Sequence, residues 1–283
     1  MPVFNADSAY RYVAEQVEMG PRVPGTAAHA RAVEWLASEL KRHKAEVTLQ
    51  RADLTTFDGT ALKAVNIIGQ YNPEAERRLL LLAHYDCRPW ADEDPDPVRA
   101  KQPVDGANDG ASGVGVLLET ARQMALRNPQ RGVDILFVDA EDWGSHEADD
   151  SWALGARYFA NNPFREDYRP SQAVLLDMVG GRDARFYREY FSQQNCPELT
   201  ETVWRAAEDA GYSHVFPNAL GGAVTDDHVE LQKAGIPAVD IIEYRPGEGF
   251  NATWHTADDT MENIDTASLK AVGQTLMQLI YSD

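Results

Sequence analysis

Four short apolar runs constrain this chain most: RLLLLAH at 78–84, VDILFV at 133–138, AVLLDMV at 173–179 and PAVDIIE at 237–243. Each is too short to span a membrane and too continuously apolar for a strand with one wet face, which predicts strands buried on both sides. Stretches with apolar residues at helical spacing separate them: 111–127, about 152–161, about 198–210, a short piece starting near Asp227, and a last helix over about 266–281. Upstream, Asp7 is expected to cap a helix through Tyr10, Val13 and Val17, and a second helix carries Val33, Leu36, Ala37 and Leu40. Two further strands follow in VTLQRADL and VNIIGQY. Strands alternating with helices predict one α/β domain over residues 1–283, a three-layer sandwich with helices on both faces of a central twisted sheet. That sheet is expected to be mixed but mostly parallel, antiparallel only at its first edge.

Charge narrows the range of partners. The 283 residues carry 45 acids against 26 Lys plus Arg, a formal net charge of −19. Such a field repels phosphate backbones, so nucleic acid is not expected as a partner; the excess reads either as a solvated surface, as in a salty or extracellular setting, or as a field that attracts cationic substrates such as peptide N-termini. No apolar run of about 18 residues occurs, so no membrane span is expected. Two cysteines, Cys87 and Cys196, are too few for a disulfide framework and leave the compartment open. MPVFNADSAY has no basic segment followed by an apolar core, so either a cytoplasmic protein or a mature form without its export signal is expected.

Where the strands run out, isolated acids and a few histidines appear. His84 and Asp86 end the first apolar run, and the histidine is either a metal ligand oriented by the carboxylate or a satisfied strand-end residue. The polar segment 86–110 is too long and too rich in proline for an ordinary connection. It ends in GANDGASG, where Asp109 is either a ligand or the cap of the helix that follows. GASGVG lies inside that helix rather than joining strand to helix, which excludes a dinucleotide fingerprint. In DAEDWG, Glu141 and Asp142 face one place only if the chain turns, and then one acid can ligate a metal while the other serves as base. Trp143 beside them lines a pocket or packs. Asp177 interrupts VLLDMVG and needs a metal, a proton or a donor, because an unpaired buried carboxylate is costly. Asp226, Asp227 and His228 open a helix in excess of what capping needs, and His255 sits in a loop with Phe250 and Trp254 close by. Asp92, Asp94 and Asp96 have the spacing of a calcium loop, but Pro97 stands where glycine is required, which argues against calcium.

In order along the chain, HYD, GANDGASG, DAEDWG, LLDMVG, TDDH and WHT resemble the superfamily of zinc aminopeptidases and animal-type glutaminyl cyclases. HYDCRPWADEDPD, EDWG, SWALGARYF and WHT look most like the bacterial members of the cyclase branch. The resemblance implies one Zn2+ per chain on Asp109, Asp142 and His255, Glu141 as general acid/base, and Asp177 in a proton network with Asp226. Trp254, Phe250 and Trp143 would shape the pocket. It implies conversion of N-terminal glutamine to pyroglutamate with release of ammonia, on peptide or protein substrates, by a monomer in the periplasm or outside the cell. The alternative is an aminopeptidase with one or two metals, in which His84 and Asp177 hold the second and Asp109 bridges. The cyclase is favoured by Asp142 where peptidases usually carry glutamate, by Trp254 before the ligand histidine and by Trp143 beside the base. The chain lacks a cysteine pair matching that of the animal enzymes.

Overall fold

The computed structural model describes residues 1–282 and holds eight α-helices and eight strands among them. Helices α1 (Ala6–Val17) and α2 (Ala27–Arg42) lead into β1 (Glu46–Thr55), β2 (Ala61–Tyr71) and β3 (Arg78–His84). Then come α3 (Ala111–Leu126), β4 (Gly132–Val138), α4 (Leu154–Asn161), β5 (Gln172–Asp177), α5 (Tyr190–Asn195), α6 (Pro197–Asp209) and α7 (Asp227–Lys233). The chain closes with β6 (Ala238–Ile242), a two-residue-per-strand hairpin of β7 (Tyr244–Arg245) and β8 (Gly249–Phe250), and α8 (Thr266–Tyr281).

Six strands form one sheet in the order β1-β2-β4-β3-β5-β6. The β1–β2 and β2–β4 pairings are antiparallel and the other three parallel, as expected from the sequence. Strand periodicity divides the core in two. Leu79, Leu81 and Ala83 of β3, Val133, Ile135 and Phe137 of β4, and Val174 and Leu176 of β5 pack under α1, α2, α3, α6 and α8. Leu80, Leu82, Leu136, Val138, Ala173 and Leu175 face the opposite way, toward α4 and α7. The unbroken apolar runs are therefore the direct consequence of a sheet covered on both faces.

Close packing on the first face depends on small residues in α3. A side chain at Gly113 would place its Cβ 2.3 Å from the Leu176 carbonyl oxygen, so only glycine lets α3 lie this close to β5. The first-helix expectation needs one correction: Asn5, whose side chain accepts from Ser8 N, caps α1, and Asp7 lies in its first turn. The cap must precede the first helical residue so that its oxygen can accept from the free N–H groups of the first turn. Helix α5 and the β7–β8 hairpin are additions to the sequence reading, both too short to leave a periodic signal. The two cysteines are free.

The topology also fixes where chemistry can sit. The connection from β3 to β4 runs through α3 on one face, and that from β4 to β5 runs through α4 on the other. The crossover reverses beside β3, and the loops leaving β3, β4 and β5 meet in the crevice beyond their C-terminal ends.

Candidate active site

Three loops at this edge each turn sharply on a non-glycine residue in the left-handed region: Ala140 (φ 54°), Met178 (φ 48°) and His255 (φ 51°). That conformation is costly and is found where the surroundings hold it for a purpose. At Ala140 it ends the strand geometry immediately before Glu141 and Asp142, so both acids reach one place.

Two buried carboxylates pin the loops by accepting consecutive backbone N–H groups. Asp86 takes those of Glu141 (3.1 Å) and Asp142 (3.2 Å), and Asp259 takes those of Asn108 (2.8 Å) and Asp109 (3.1 Å). Asp259 itself is pushed up to about 7 by burial and by the charge of Asp109. The Asn108 side chain accepts from Gly180 N (2.8 Å), tying the Asp109 loop to the loop after β5. The Asp109–Gly110 peptide is cis. Gly110, without a side-chain cap bond, stands at the N-cap of α3, so the capping alternative for Asp109 falls away.

Asp109, Asp142 and His255 each present a ligand atom within 4.8 Å of the others, and all three are buried. His255 Nε2 lies 3.5 Å from Asp109 Oδ2 and 3.2 Å from Asp142 Oδ1. Two donors of one tetrahedral zinc, each about 2.0–2.1 Å from the ion, stand roughly 3.3 Å apart. Asp142 Oδ1 is buried with no hydrogen-bond partner. The donor set and its spacing therefore fit zinc. A second group, His84, Asp109 and Asp177, has a different geometry: His84 Nε2 stands 2.9 Å from Asp109 Oδ1 and 3.1 Å from Asp177 Oδ1. Those are hydrogen-bond lengths, and the three donor atoms also lie within 4.8 Å of one another, so this group too could hold an ion.

Electrostatics separates the acids further. Burial pushes Glu141 well above the ordinary carboxylate range, and the charges of Asp226, Asp142 and Asp227 add to it against the pull of His84. Asp177 is pushed up to about 8 by burial and by the charge of Asp226. Asp142 is raised by burial and by Asp109, whereas Asp109 is held low against its own burial by the His84 hydrogen bond. His84 is driven well up despite burial by Asp109, Asp177 and Asp86. The expected network between Asp177 and Asp226 takes another form. Asp177 bonds to His84, while Asp226 Oδ1 caps α7 at Asp227 N, so Asp226 reaches Asp177 through charge.

These groups open into a cleft of about 260 Å3 whose wall includes Trp152, Phe250 and Trp254. Trp254 stacks on the His255 ring (4.0 Å between centroids, 23°), and Phe250 packs on Trp254 at 4.3 Å. Trp152 stacks on His255 from further out, at 5.9 Å and 24°. Trp143 does not line the cleft. It packs edge-on against Trp90 and directs its indole N–H at Asp58, because the turn at Ala140 sends alternate residues outward. Trp152 is a wall residue that the sequence reading does not single out; its approach is set by Gly144, where a Cβ would collide with the Trp152 ring. Arg88 is a second such residue. It is buried, pairs with Asp92, and donates to the carbonyl oxygens of Asp142 and Gly144. That places a cation under the ligand loop and explains Asp92 better than a calcium loop does.

Residues 66–280 match the sequence profile of peptidase family M28. The crystal structure of Bacteroides thetaiotaomicron glutaminyl cyclase bound to N-acetylhistamine superposes with a TM-score of 0.98 at 47% identity, covering 100% of this chain and 99% of that one. A Zn-dependent exopeptidase from Parabacteroides distasonis gives a TM-score of 0.97 at 52% identity, covering 100% and 99%. The glutaminyl-peptide cyclotransferase of Bos taurus is 25% identical over 248 residues, 76% of this chain, and the chain spans 65% of that enzyme's length. No helix among the described residues is long and apolar enough to cross a membrane. With its family profile matched over most of its length and its fold shared from end to end with these bacterial enzymes, the chain belongs to peptidase family M28.

Proposed function

We propose that the chain is a single catalytic domain over residues 1–283 that converts the N-terminal glutamine of peptides or proteins to pyroglutamate and releases ammonia. The observation that favours this reading over a two-metal aminopeptidase is the stack of Trp254 on His255 with Phe250 behind it, an aromatic wall that narrows the cleft beside the zinc-fitting donors to one side chain. One zinc ion per chain on Asp109, Asp142 and His255 is the matching cofactor assignment. When bound, zinc supplies a Lewis acid that polarises the γ-carboxamide of the glutamine.

The chain's own residues do the rest. Glu141, kept out of the ligand set and raised by burial, accepts a proton from the substrate α-amine as its nitrogen bonds to the side-chain carboxamide carbon, Cδ. The same carboxyl then returns that proton to the departing amide nitrogen, and the carbon–nitrogen bond breaks to give ammonia. Asp177, raised to about 8, keeps its proton near neutral pH and adds no second negative charge beside Glu141. Trp254, Phe250 and Trp152 seat the glutamine side chain and keep water from competing with the internal amine. Burial of this reaction in the cleft requires a substrate terminus that is free and extended.

Kinship with the bacterial cyclases supports export to the periplasm or the outside, and a monomer is the working unit. Mass spectrometry of a peptide with N-terminal glutamine tests the reaction. The expected product has the same residues and one ammonia less; free glutamine with a shortened peptide would establish the aminopeptidase instead.

A further inference from the structure

The acids of ADEDPDP have no part in the reaction, and their place in the fold gives them another task. They lie against the loop that carries His255. Asp92 Oδ1 faces the His255 ring, 3.6 Å from Nδ1, the Glu93 N–H donates to the His255 carbonyl oxygen (3.1 Å), and Asp94 Oδ2 accepts from Ala257 N (3.0 Å). Three consecutive residues thus grip the ring, the carbonyl and the following turn of one loop. They do so at a point of strain, because His255 stands in the left-handed region at φ 51°.

Arg88, buried to 1% exposure, joins this segment to the other ligand loop. Its Nε and one terminal nitrogen bind the two oxygens of Asp92 at 2.6 and 2.5 Å. The other terminal nitrogen donates to the carbonyl oxygens of Asp142 (3.0 Å) and Gly144 (3.2 Å). The guanidinium also lies over the Trp152 ring, 4.7 Å from its centre. One planar fork therefore holds the segment beside His255, the loop of Asp142 and the cleft wall together, which the single point of charge on a lysine cannot do.

Zinc makes the grip on the ring matter. His255 Nε2 is the nitrogen beside Asp109 and Asp142, so a metal on Nε2 leaves the ring proton on Nδ1. Nδ1 is buried without a hydrogen-bond partner, and a buried N–H left unmet is costly. Asp92 is the carboxylate that faces it, just beyond hydrogen-bond length. A carboxylate behind the ring fixes the tautomer and orientation of a ligand histidine.

We propose that Asp92 and Arg88 are positioning residues of the metal site: Arg88 holds Asp92 against Nδ1 of His255 and holds Asp142 by its carbonyl, so the two ligand loops keep one spacing. Neither residue touches substrate. The inference rests on the assignment of zinc to Asp109, Asp142 and His255 made above.

Zinc affinity, measured by competition with a chelator at fixed pH, tests the pair. Asp92→Ala should bind zinc about 10–100-fold more weakly than wild type, and Asp92→Asn, which keeps an oxygen able to accept from Nδ1, should recover part of that loss. Removing Asp92 alone strands the Arg88 charge, so the double variant Arg88→Gln, Asp92→Ala separates charge balance from positioning. Its zinc affinity should stay low. Recovery to the wild-type value in the double variant, or an Asp92→Ala that binds zinc as tightly as wild type, overturns the proposal. Should the alanine variants not fold, the Nδ1–H proton resonance of His255 in zinc-loaded protein decides. It should lie downfield in wild type, as a charge-assisted bond requires, and move upfield in Asp92→Asn; an unchanged resonance overturns the proposal. Wild type that binds no zinc refutes the ligand set itself, and the positioning pair falls with it.

Discussion

The smallest unit of the account is a carboxylate that has two amides to hold. Asp86 accepts the N–H groups of Glu141 and Asp142 at once, so it positions the base and a ligand without touching substrate. Asp86→Ala leaves two buried donors unsatisfied, at about 1–3 kcal/mol each. Urea unfolding should show that loss, and kcat should drop more than KM rises. The aromatic wall gives a paired prediction. Trp152→Ala should raise KM for glutaminyl peptides about 10-fold, the effect of losing roughly 1.4 kcal/mol of contact, whereas Trp143→Ala should leave KM unchanged. The titration of the site gives a third. Asp177 and Asp259 hold their protons up to about 8 and about 7, far above an unfolded aspartate, so the folded chain binds protons that the unfolded chain has released. Their contribution to stability is complete below the unfolded value near 4 and disappears as pH rises through 7 and 8. The Tm of metal-free protein should therefore fall between pH 6 and pH 9, and Asp177→Asn should flatten part of that fall.

At the scale of elements, the sheet and its helices are set by contacts that tolerate little change. Gly113→Ala drives a Cβ into the Leu176 carbonyl and pushes α3 off β5, for a loss of about 1–3 kcal/mol measurable by urea denaturation. Most elements were legible in the sequence because their burial is two-sided. RLLLLAH became β3 and VDILFV became β4 with every residue buried. A helix of six residues and strands of two were not: α5 and the β7–β8 hairpin lack the length to show a period, whereas the short strands β5 and β6 stood out as apolar runs. At the site, Asp109, Glu141, Asp142, Asp177 and His255 were legible as acids and a histidine placed where strands end. The direction of Trp143 was not, because it depends on the left-handed turn at Ala140, and neither was Trp152, which reaches the cleft only through the close approach at Gly144. The bond from Asp177 to His84 rather than to Asp226 depends on which strands are neighbours, and β3 lies beside β5.

For the whole molecule, charge and site act together. A formal charge of −19 surrounds a cleft whose proposed substrate carries a protonated amine. Long-range attraction of that kind is screened within about 8 Å at physiological salt. The value of kcat/KM for a peptide with basic residues after the glutamine should fall as salt rises, and for an acidic peptide it should rise. The three scales meet at Glu141, which the fold buries beside the zinc-fitting donors and keeps free of ligation. The most direct measurement is therefore ammonia release and zinc content in the same sample of Glu141→Gln. We predict zinc at the wild-type level and no ammonia from a glutaminyl peptide; ammonia released at the wild-type rate, or zinc lost with the carboxylate, would contradict the account.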